Sequence, residues 1–480
     1  MKALNNLYIQ NQNKISIHRI KKILREIWES VSGTDQDFTS GSLSKAILLL
    51  SVPMVLEMIM ESIFAVVDIF FVSKLGADAI ATVGITESLI TIIYALGIGL
   101  SSATTALVAR RIGEKENRKA ANTAFQAIIT GTTISIIIAI AGIIFARDLL
   151  RLMGASEVIV NDMWQYTAIM LGSNVLIMLL FIINAIFRSA GDAAISMRVL
   201  FLANGVNIVL DPCLIFGWGP FPELGVVGAA TATSIGRGLA VIYQFYLLFR
   251  GKGRVKLILK DCLPDFKIIV DILKLSIGST LQMLIATTSW IFLVRIIAKY
   301  GSDVVAGYTI GIRVIIFALL PSFGISNAAA TLVGQNLGAK KPDRAERSVW
   351  FTSRVNFIFL GMLGATMIMF AEPIIMIFDD SEAIVRSGVL CLRIISYGFL
   401  FYGVGMVLIQ SFNGAGDTVT PAYINLVCFW MIEIPLAYFL ATRIGWKEEG
   451  VYYAIIIAET LMTITAAILF KRGKWKLKEV

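Results

Sequence analysis

Two stretches of the chain match each other, Arg188-Ser189-Ala190-Gly191-Asp192 and Asn413-Gly414-Ala415-Gly416-Asp417. We call the shift from position 188 to position 413 the repeat offset. It also relates Leu75-Gly76 to Tyr300-Gly301, and the register continues without a gap as far as Val226. A long repeat in a hydrophobic chain indicates two pseudo-symmetric halves that face one central site. Differences between the halves are therefore informative about function.

Apolar segments fill most of the 480-residue chain. Hydrophobic residues make up 57% of it and charged residues only 16%, against roughly 25% charged in an ordinary soluble domain. A helix of about 20 apolar residues can cross the hydrocarbon core of a bilayer. Twelve segments are long enough: 46–73, 79–109, 120–146, 160–187, 193–217, 226–249, 268–299, 304–333, 350–377, 386–412, 419–442 and 450–470. The sequence therefore predicts an all-α polytopic membrane protein with twelve transmembrane helices.

Basic residues are distributed unequally between the two sides of these spans. The side that carries both chain termini has 31 of the 42 lysines and arginines, and the opposite side has seven. Cytoplasmic loops are enriched in these residues, so we expect both termini in the cytoplasm and the chain in the cell inner (plasma) membrane. The net charge of +9 then reflects topology and contact with anionic lipid, and it does not indicate nucleic-acid binding.

The spans divide the chain into two bundles of six. We expect a cytoplasmic tail at 1–45, an N-lobe at 46–249, a cytoplasmic linker at 250–267, a C-lobe at 268–470 and a basic tail at 471–480. Because six is even, both bundles enter the membrane in the same direction and are related by an axis along its normal.

The N-terminal tail contains apolar residues at helical spacing among basic ones. The apolar residues are Ile20, Ile23, Leu24, Ile27, Trp28 and Val31. This pattern predicts a basic amphipathic helix that lies on the inner leaflet or packs on the cytoplasmic loops.

Carboxylates inside the first and fifth spans are the strongest functional signal. Glu57, Glu61 and Asp68 fall within about 40° of one another on one helical face, and Asn207 and Asp211 share a face of the fifth span. Asp68 and Asp211 lie at similar depth, so they predict a site for Na⁺ or for a proton. The alternative is that these groups cap helix ends or pair with arginine and lysine.

The acid site belongs to one half only, since the repeat offset turns Asp68 into Leu293 and Asp211 into Leu436. Four other side chains are candidates to line a cavity: Glu57, Glu61, Gln282 and Glu433. Pairing with neighbouring helices is the alternative for them and for Glu459.

Pro53 predicts a point at which the first helix bends, with a static kink as the alternative.

Signatures of enzymes are missing from the sequence. It contains no GxxxxGK[ST] phosphate loop, no HExxH, no GxSxG and no cysteine and histidine ligand set. Direct use of ATP and a membrane-embedded enzyme are therefore disfavoured, and no cofactor is expected beyond a coupling ion.

One combination of motifs runs through both halves: Pro53, Val66-Val67-Asp68-Ile69-Phe70-Phe71-Val72, the Arg188 to Asp192 turn, Asn207-Ile208-Val209-Leu210-Asp211-Pro212 and Gly414-Ala415-Gly416-Asp417-Thr418. Together these motifs resemble the multidrug and toxic compound extrusion (MATE) transporters, over residues 44 to 470. The resemblance implies twelve helices in two six-helix lobes. It also implies that a Na⁺ or H⁺ gradient drives export of mainly cationic, lipophilic compounds by alternating access.

The resemblance assigns a cation site to the first lobe. Family members use the aspartate of the first helix with the asparagine and aspartate of the fifth, which match Asp68, Asn207 and Asp211, the residues expected to hold any Na⁺. Tyr166 is similar in position to a tyrosine that completes the site, and Thr231 corresponds to a threonine of the sixth helix. Acids in the first lobe are closer to the DinF-like pattern than to the NorM-like one, whose site lies in the second lobe.

We therefore expect a secondary active multidrug efflux antiporter that is a monomer among membrane lipids, exchanges H⁺ or Na⁺ and exports small-molecule drugs or toxins. A lipid-linked oligosaccharide flippase is the alternative within the wider superfamily. It requires a cationic cavity, for which Arg237, Arg295 and Arg313 are the available residues. A membrane-embedded enzyme and a passive channel are the alternatives from other classes.

Overall fold

The computed structural model of the protein describes residues 24–34, 36–251, 253–258 and 263–480, and every regular element within these ranges is a helix. The long helices are α1 Leu43–Ser73, α2 Ala77–Gly113, α3 Asn117–Ile144, α4 Trp164–Ala190, α5 Ala193–Phe216, α6 Val226–Arg250, α7 Phe266–Ile297, α8 Ser302–Gly338, α9 Pro342–Met369, α10 Glu382–Tyr397 with Phe399–Gly414, α11 Val419–Arg443 and α12 Lys447–Lys471. Short helices Ala146–Leu152 and Glu157–Asp162 precede α4, and Ala371–Met376 precedes α10. We call the side where α1 begins and α12 ends the terminal face, and the opposite side the distal face.

The predicted all-α polytopic class is confirmed. Ten of these helices are long and apolar enough to cross a membrane, and α10 makes an eleventh if its two segments, bent by 58°, form one span. Helix α1, with 31 residues, is a further long helix outside this set, so the predicted count of twelve transmembrane helices agrees approximately with the structure.

Helix boundaries follow the repeat offset found in the sequence. The offset carries both ends of α2 onto those of α8, and both ends of α3 onto those of α9. The loops between these helices repeat as well, because Lys115 and Lys340 have positive φ angles of 62° and 57°, which side-chain-bearing residues rarely adopt. Gly191 and Gly416, in the turn that reveals the repeat, have φ angles of 96° and 85°. Each half thus has the same backbone plan.

Three spans depart from the continuous helices expected from hydropathy. The fourth is broken at Ser173 and the tenth at Gly398, and the repeat offset relates these two positions. The eleventh contains π-helical turns over Leu426–Glu433 and Phe439–Arg443. Pro435 lacks an amide hydrogen and clashes with the carbonyl four residues earlier, so regular hydrogen bonding cannot continue through this part of α11.

The described part of the expected amphipathic helix, residues 24–32, is helical, while Ile20 and Ile23 lie outside the described residues. Glu29 pairs with Lys45 of α1 at 3.0 Å, and Arg198 of α5 donates to the carbonyl of Val31 at 2.8 Å. The Trp28 side chain remains 73% exposed. This helix is therefore attached to the N-lobe at the terminal face.

Apolar side chains form separate cores in the two halves and a smaller core between them. The largest cluster draws mainly on α2 to α6, and two further clusters draw on α7 to α12. Between the halves, Leu49 and Leu50 of α1 pack with Ala328 and Leu332 of α8. As a result, α1 belongs to the first half but is also packed against the second.

The two halves meet at the terminal face where α2 crosses α8. A Cβ atom on Gly113 would overlap the Gln335 carbonyl oxygen, and one on Gly338 would overlap the Arg110 carbonyl oxygen. These two contacts are equivalent, because the repeat offset carries Gly113 onto Gly338 and Arg110 onto Gln335. The pseudo-two-fold axis therefore passes through a crossing at which the two backbones touch.

Residues after α12 lie against both halves at this face. The Trp475 ring is fully buried and stacks on Phe470 with 4.5 Å between ring centroids. In the first half, Arg110 donates to the Lys478 carbonyl at 2.8 Å, and in the second half the Lys478 ammonium pairs with Asp417 at 3.3 Å. The residues after α12 therefore contact both halves of the protein.

Replacing Gly113 with alanine is expected to weaken the closed terminal face, because the added methyl group would overlap backbone atoms of α8. In a cysteine-free background, spin labels at Asn117 and Arg347 should give longer or broader distances for Gly113→Ala than for the parent. Gly84→Ala is the matched control, since no atom lies within 4 Å of a Cβ at that position of α2. Identical distance distributions in all three proteins would contradict a role for this crossing in closure.

Candidate cation and substrate site

Helices α5 and α6 bury a group of oxygen atoms that lack hydrogen-bond donors. Asp211 is fully buried and Asn207 is 2% exposed. No hydrogen bond of normal geometry reaches either carboxylate oxygen of Asp211, although the Asn207 side chain interacts with this group, and the Oδ1 of Asn207 has no partner. The Nδ2 of Asn207 donates to Thr233 Oγ1 of α6 at 2.9 Å. Since nearly all buried polar atoms in proteins are satisfied, these three oxygens fit a proton or a hard cation such as Na⁺.

Asp68 of α1 completes this group from the facing helix. It interacts electrostatically with Asp211, and Tyr166 of α4, which is 4% exposed, interacts with Asp68. The structure therefore brings together Asp68, Asn207, Asp211 and Tyr166, the residues singled out by sequence and resemblance.

The threonine that contacts this group is Thr233. The hydroxyl of Thr231 donates to the Val227 carbonyl of its own helix at 2.8 Å, whereas Thr233 accepts the hydrogen bond from Asn207. The two threonines are close neighbours on α6, and a sequence without the packing of α5 on α6 does not distinguish between them.

Glu57 and Gln282, two candidates for a cavity, are buried and bind the repeated turn in each half. Glu57 is 2% exposed and its Oε1 lies 2.7 Å from the Arg188 guanidinium. At the equivalent position in the second half, the Nε2 of Gln282 donates to Asn413 Oδ1 at 3.0 Å. The ion pair of the first half is thus replaced by a pair of amides in the second. For Glu57 the structure therefore shows pairing with a neighbouring helix, which was the alternative to lining a cavity.

The remaining candidates of the first helix differ in their surroundings. Glu61 accepts a hydrogen bond from Asn204 at 3.2 Å and interacts with Arg237. Pro53 is buried within α1, next to Met54, whose backbone would lie 2.7 Å from a Cβ on Gly324 of α8. A bend at Pro53 would therefore alter the contact between the two lobes.

Glu433 of the second lobe is also buried. It is 2% exposed and accepts a hydrogen bond from Ser289 at 2.6 Å. Its carboxyl group interacts with that of Glu459 on α12.

Glu87 is a charged residue that sequence reasoning missed. This glutamate of α2 is exposed and interacts with Asp68 of its own lobe and with Arg313 of the opposite lobe. The signal was available, since Glu87 is the single carboxylate in the apolar segment 79–109. Arg313 also lines a pocket of the second lobe with the aromatic side chains of Trp290, Tyr308 and Phe317. Glu87 therefore interacts both with an acid of the first lobe and with an arginine that lines an aromatic pocket of the second lobe.

Comparisons with known proteins identify the family of the chain. The MatE family model matches residues 53–213 and 279–439, one segment in each half. The "Probable multidrug resistance protein YoeA" of Bacillus subtilis (strain 168) is 25% identical over 457 residues, which cover 93% of this chain and 97% of that protein. The "Multidrug export protein MepA" of Staphylococcus aureus (strain NCTC 8325 / PS 47) is 23% identical, with 90% and 94% covered.

A solved structure of similar architecture shares the same lobes. It is described as the outward-facing conformation of a multidrug resistance MATE family transporter and is 26% identical, with a TM-score of 0.86 over 92% of this chain and 97% of that one. The match of the family model to both halves establishes that the chain is a multi-pass membrane protein of the MatE family, the multidrug and toxic compound extrusion transporters.

Proposed function

We propose that the protein is a secondary active antiporter that exports mainly cationic, lipophilic drugs or toxins in exchange for H⁺ or Na⁺ by alternating access. In this proposal it is a monomer in the cell inner membrane with both termini in the cytoplasm. The observation that supports it best is the group of three unpartnered buried oxygens of Asp211 and Asn207 beside Asp68. Binding of a proton or a cation would supply a favourable partner for these oxygens.

Helix α1 supplies the coupling in this mechanism. Asp68 of α1 faces Asp211, while Met54 of the same helix touches α8 of the other lobe at Gly324. A cation between Asp68 and Asp211 removes the repulsion between two carboxylates and so favours close approach of α1 and α5. Movement of α1 then changes the contact between the lobes. Each conformation consequently has its own affinity for cation and for drug, which is the requirement for exchange.

Exported compounds would bind between the lobes near Glu87 and the aromatic pocket. Aromatic rings attract organic cations and bury their apolar parts, and a carboxylate balances their charge. Glu87 and Asp68 interact with each other, so loading of the cation site changes the negative potential that an exported cation meets. Mutual exclusion of cation and drug follows from this shared charge.

The flippase alternative is less well supported. Two of the three arginines that it requires face acids, since Arg237 interacts with Glu61 and Asp68, and Arg313 interacts with Glu87. A pyrophosphate group would have to displace these carboxylates. We therefore favour drug export.

Dye transport in everted membrane vesicles tests the proposal. Ethidium uptake should follow an imposed proton gradient or an imposed sodium gradient and should cease when an ionophore collapses it. Vesicles from the same host without the protein are the control. Uptake that never exceeds the control under either gradient would contradict the antiport proposal.

A further inference from the structure

The second lobe contains a buried pair of acids that the antiport mechanism does not use. Glu433 of α11 is 2% exposed and Glu459 of α12 is 7% exposed, and their carboxyl groups interact. Ser289 of α7 donates a hydrogen bond to Glu433 Oε2 at 2.6 Å. The Oε2 of Glu459 is buried and has no hydrogen-bond partner.

No basic side chain compensates for this pair among the residues that the structure describes. The titratable groups that interact with the two acids are Tyr308 of α8, Tyr402 of α10 and Cys428 of α11. All of them are neutral when protonated, and Tyr402 interacts with both acids. Two ionised carboxylates in such surroundings would lack both water and a countercharge, which is strongly disfavoured. Uptake of one proton removes one charge and supplies a donor for the unpartnered oxygen.

The pair lies at a depth in its lobe similar to that of the hydrogen-bonded residues Asn207 and Thr233 in the first lobe. The repeat offset carries Asn207 of α5 and Thr233 of α6 onto positions 432 and 458. Glu433 and Glu459 come directly after those two positions. The fifth and sixth helices of both lobes therefore carry polar groups at equivalent depth, although the residues differ.

We propose that Glu433 and Glu459 form a second proton-binding site, which takes up one proton per pair of acids. Binding adds one proton to a carboxylate oxygen, forms one O–H bond and breaks no other bond. The site is distinct from Asp68 and Asp211, and its occupation does not depend on whether those residues drive export.

Infrared spectroscopy of the purified full-length protein in lipid bilayers tests this assignment. Near neutral pH the C=O stretch of protonated carboxylic acids should include a component that the double variant Glu433→Gln/Glu459→Gln lacks. The component should persist in Asp68→Asn/Asp211→Asn and in Glu382→Gln, a change at an exposed acid of the same lobe. An equal band in wild type and the Glu433→Gln/Glu459→Gln variant would overturn the proposal.

A milder change keeps the test valid if the double variant does not fold. Ser289→Ala removes the donor to Glu433 and leaves both acids in place. We expect the same component to shift in frequency without loss of amplitude, because the carboxyl group has lost a hydrogen bond. An unshifted band would contradict the assignment. Loss of the band on addition of sodium at fixed pH would mean that Na⁺ displaces the proton. This result would overturn the proposal of a proton site as well.

Discussion

Replacing Asp68 or Asp211 with asparagine is expected to slow gradient-driven dye export by about 10- to 100-fold, the range that corresponds to coupling free energies typical of linked binding sites. An asparagine has the size of an aspartate but cannot take up a proton or balance the charge of Na⁺. Asp211 has two buried oxygens without partners, and Asp68 is the acid that interacts with it across α1 and α5. Initial rates of ethidium uptake in everted vesicles, at equal protein levels, measure the effect.

Asp78→Asn provides a matched control for this experiment. Asp78 lies in the first turn of α2, is exposed, and has the same side chain as the site residues. We expect its variant to transport at the parental rate. If Asp68→Asn also transported at the parental rate, the cation site would have to lie elsewhere.

Loss of the Arg188 side chain is expected to lower the free energy of unfolding by about 3–5 kcal/mol, the cost of leaving one member of a buried ion pair uncompensated. The side chains of Arg188 and Glu57 are 13% and 2% exposed, so the variant would bury the Glu57 carboxylate without its countercharge. Thermal unfolding of the detergent-solubilised Arg188→Ala variant should therefore begin at a clearly lower temperature than that of the parent.

The second half of the chain provides the rescue variant. Gln282 and Asn413 form a neutral hydrogen-bonded pair where the first half has Glu57 and Arg188. The double variant Glu57→Gln/Arg188→Asn reproduces this pair, and we expect it to recover most of the stability lost in Arg188→Ala. If the double variant were as unstable as the single one, lost packing of the long arginine side chain would explain the effect better than an unpaired charge.

Much of the architecture can be predicted from sequence because hydropathy and the internal repeat independently identify the same helices. The repeat offset places both ends of α8 and α9 from those of α2 and α3. Hydropathy does not report backbone geometry within an apolar segment. The breaks at Ser173 and Gly398 and the π-helical turns of α11 were therefore not predicted.

The candidate site was predicted in part. Carboxylates inside a membrane helix are costly, so the sequence alone draws attention to Asp68 and Asp211. Helical spacing also puts Glu57 and Glu61 on the face of Asp68, yet the structure gives each of the three a different partner. Glu57 pairs with Arg188, and Glu61 accepts a hydrogen bond from Asn204. Those partners depend on which helix packs at each depth of α1, and one sequence does not contain that information.

The crossing of α2 and α8 has a consequence for the origin of the fold. Gly113 meets Gln335 in the same way that Gly338 meets Arg110, and the two contacts exchange when the halves are exchanged. An interface of this kind is isologous, the form found between identical subunits of a two-fold symmetric dimer. Two copies of a single six-helix chain could close on each other through this contact before any fusion joined them.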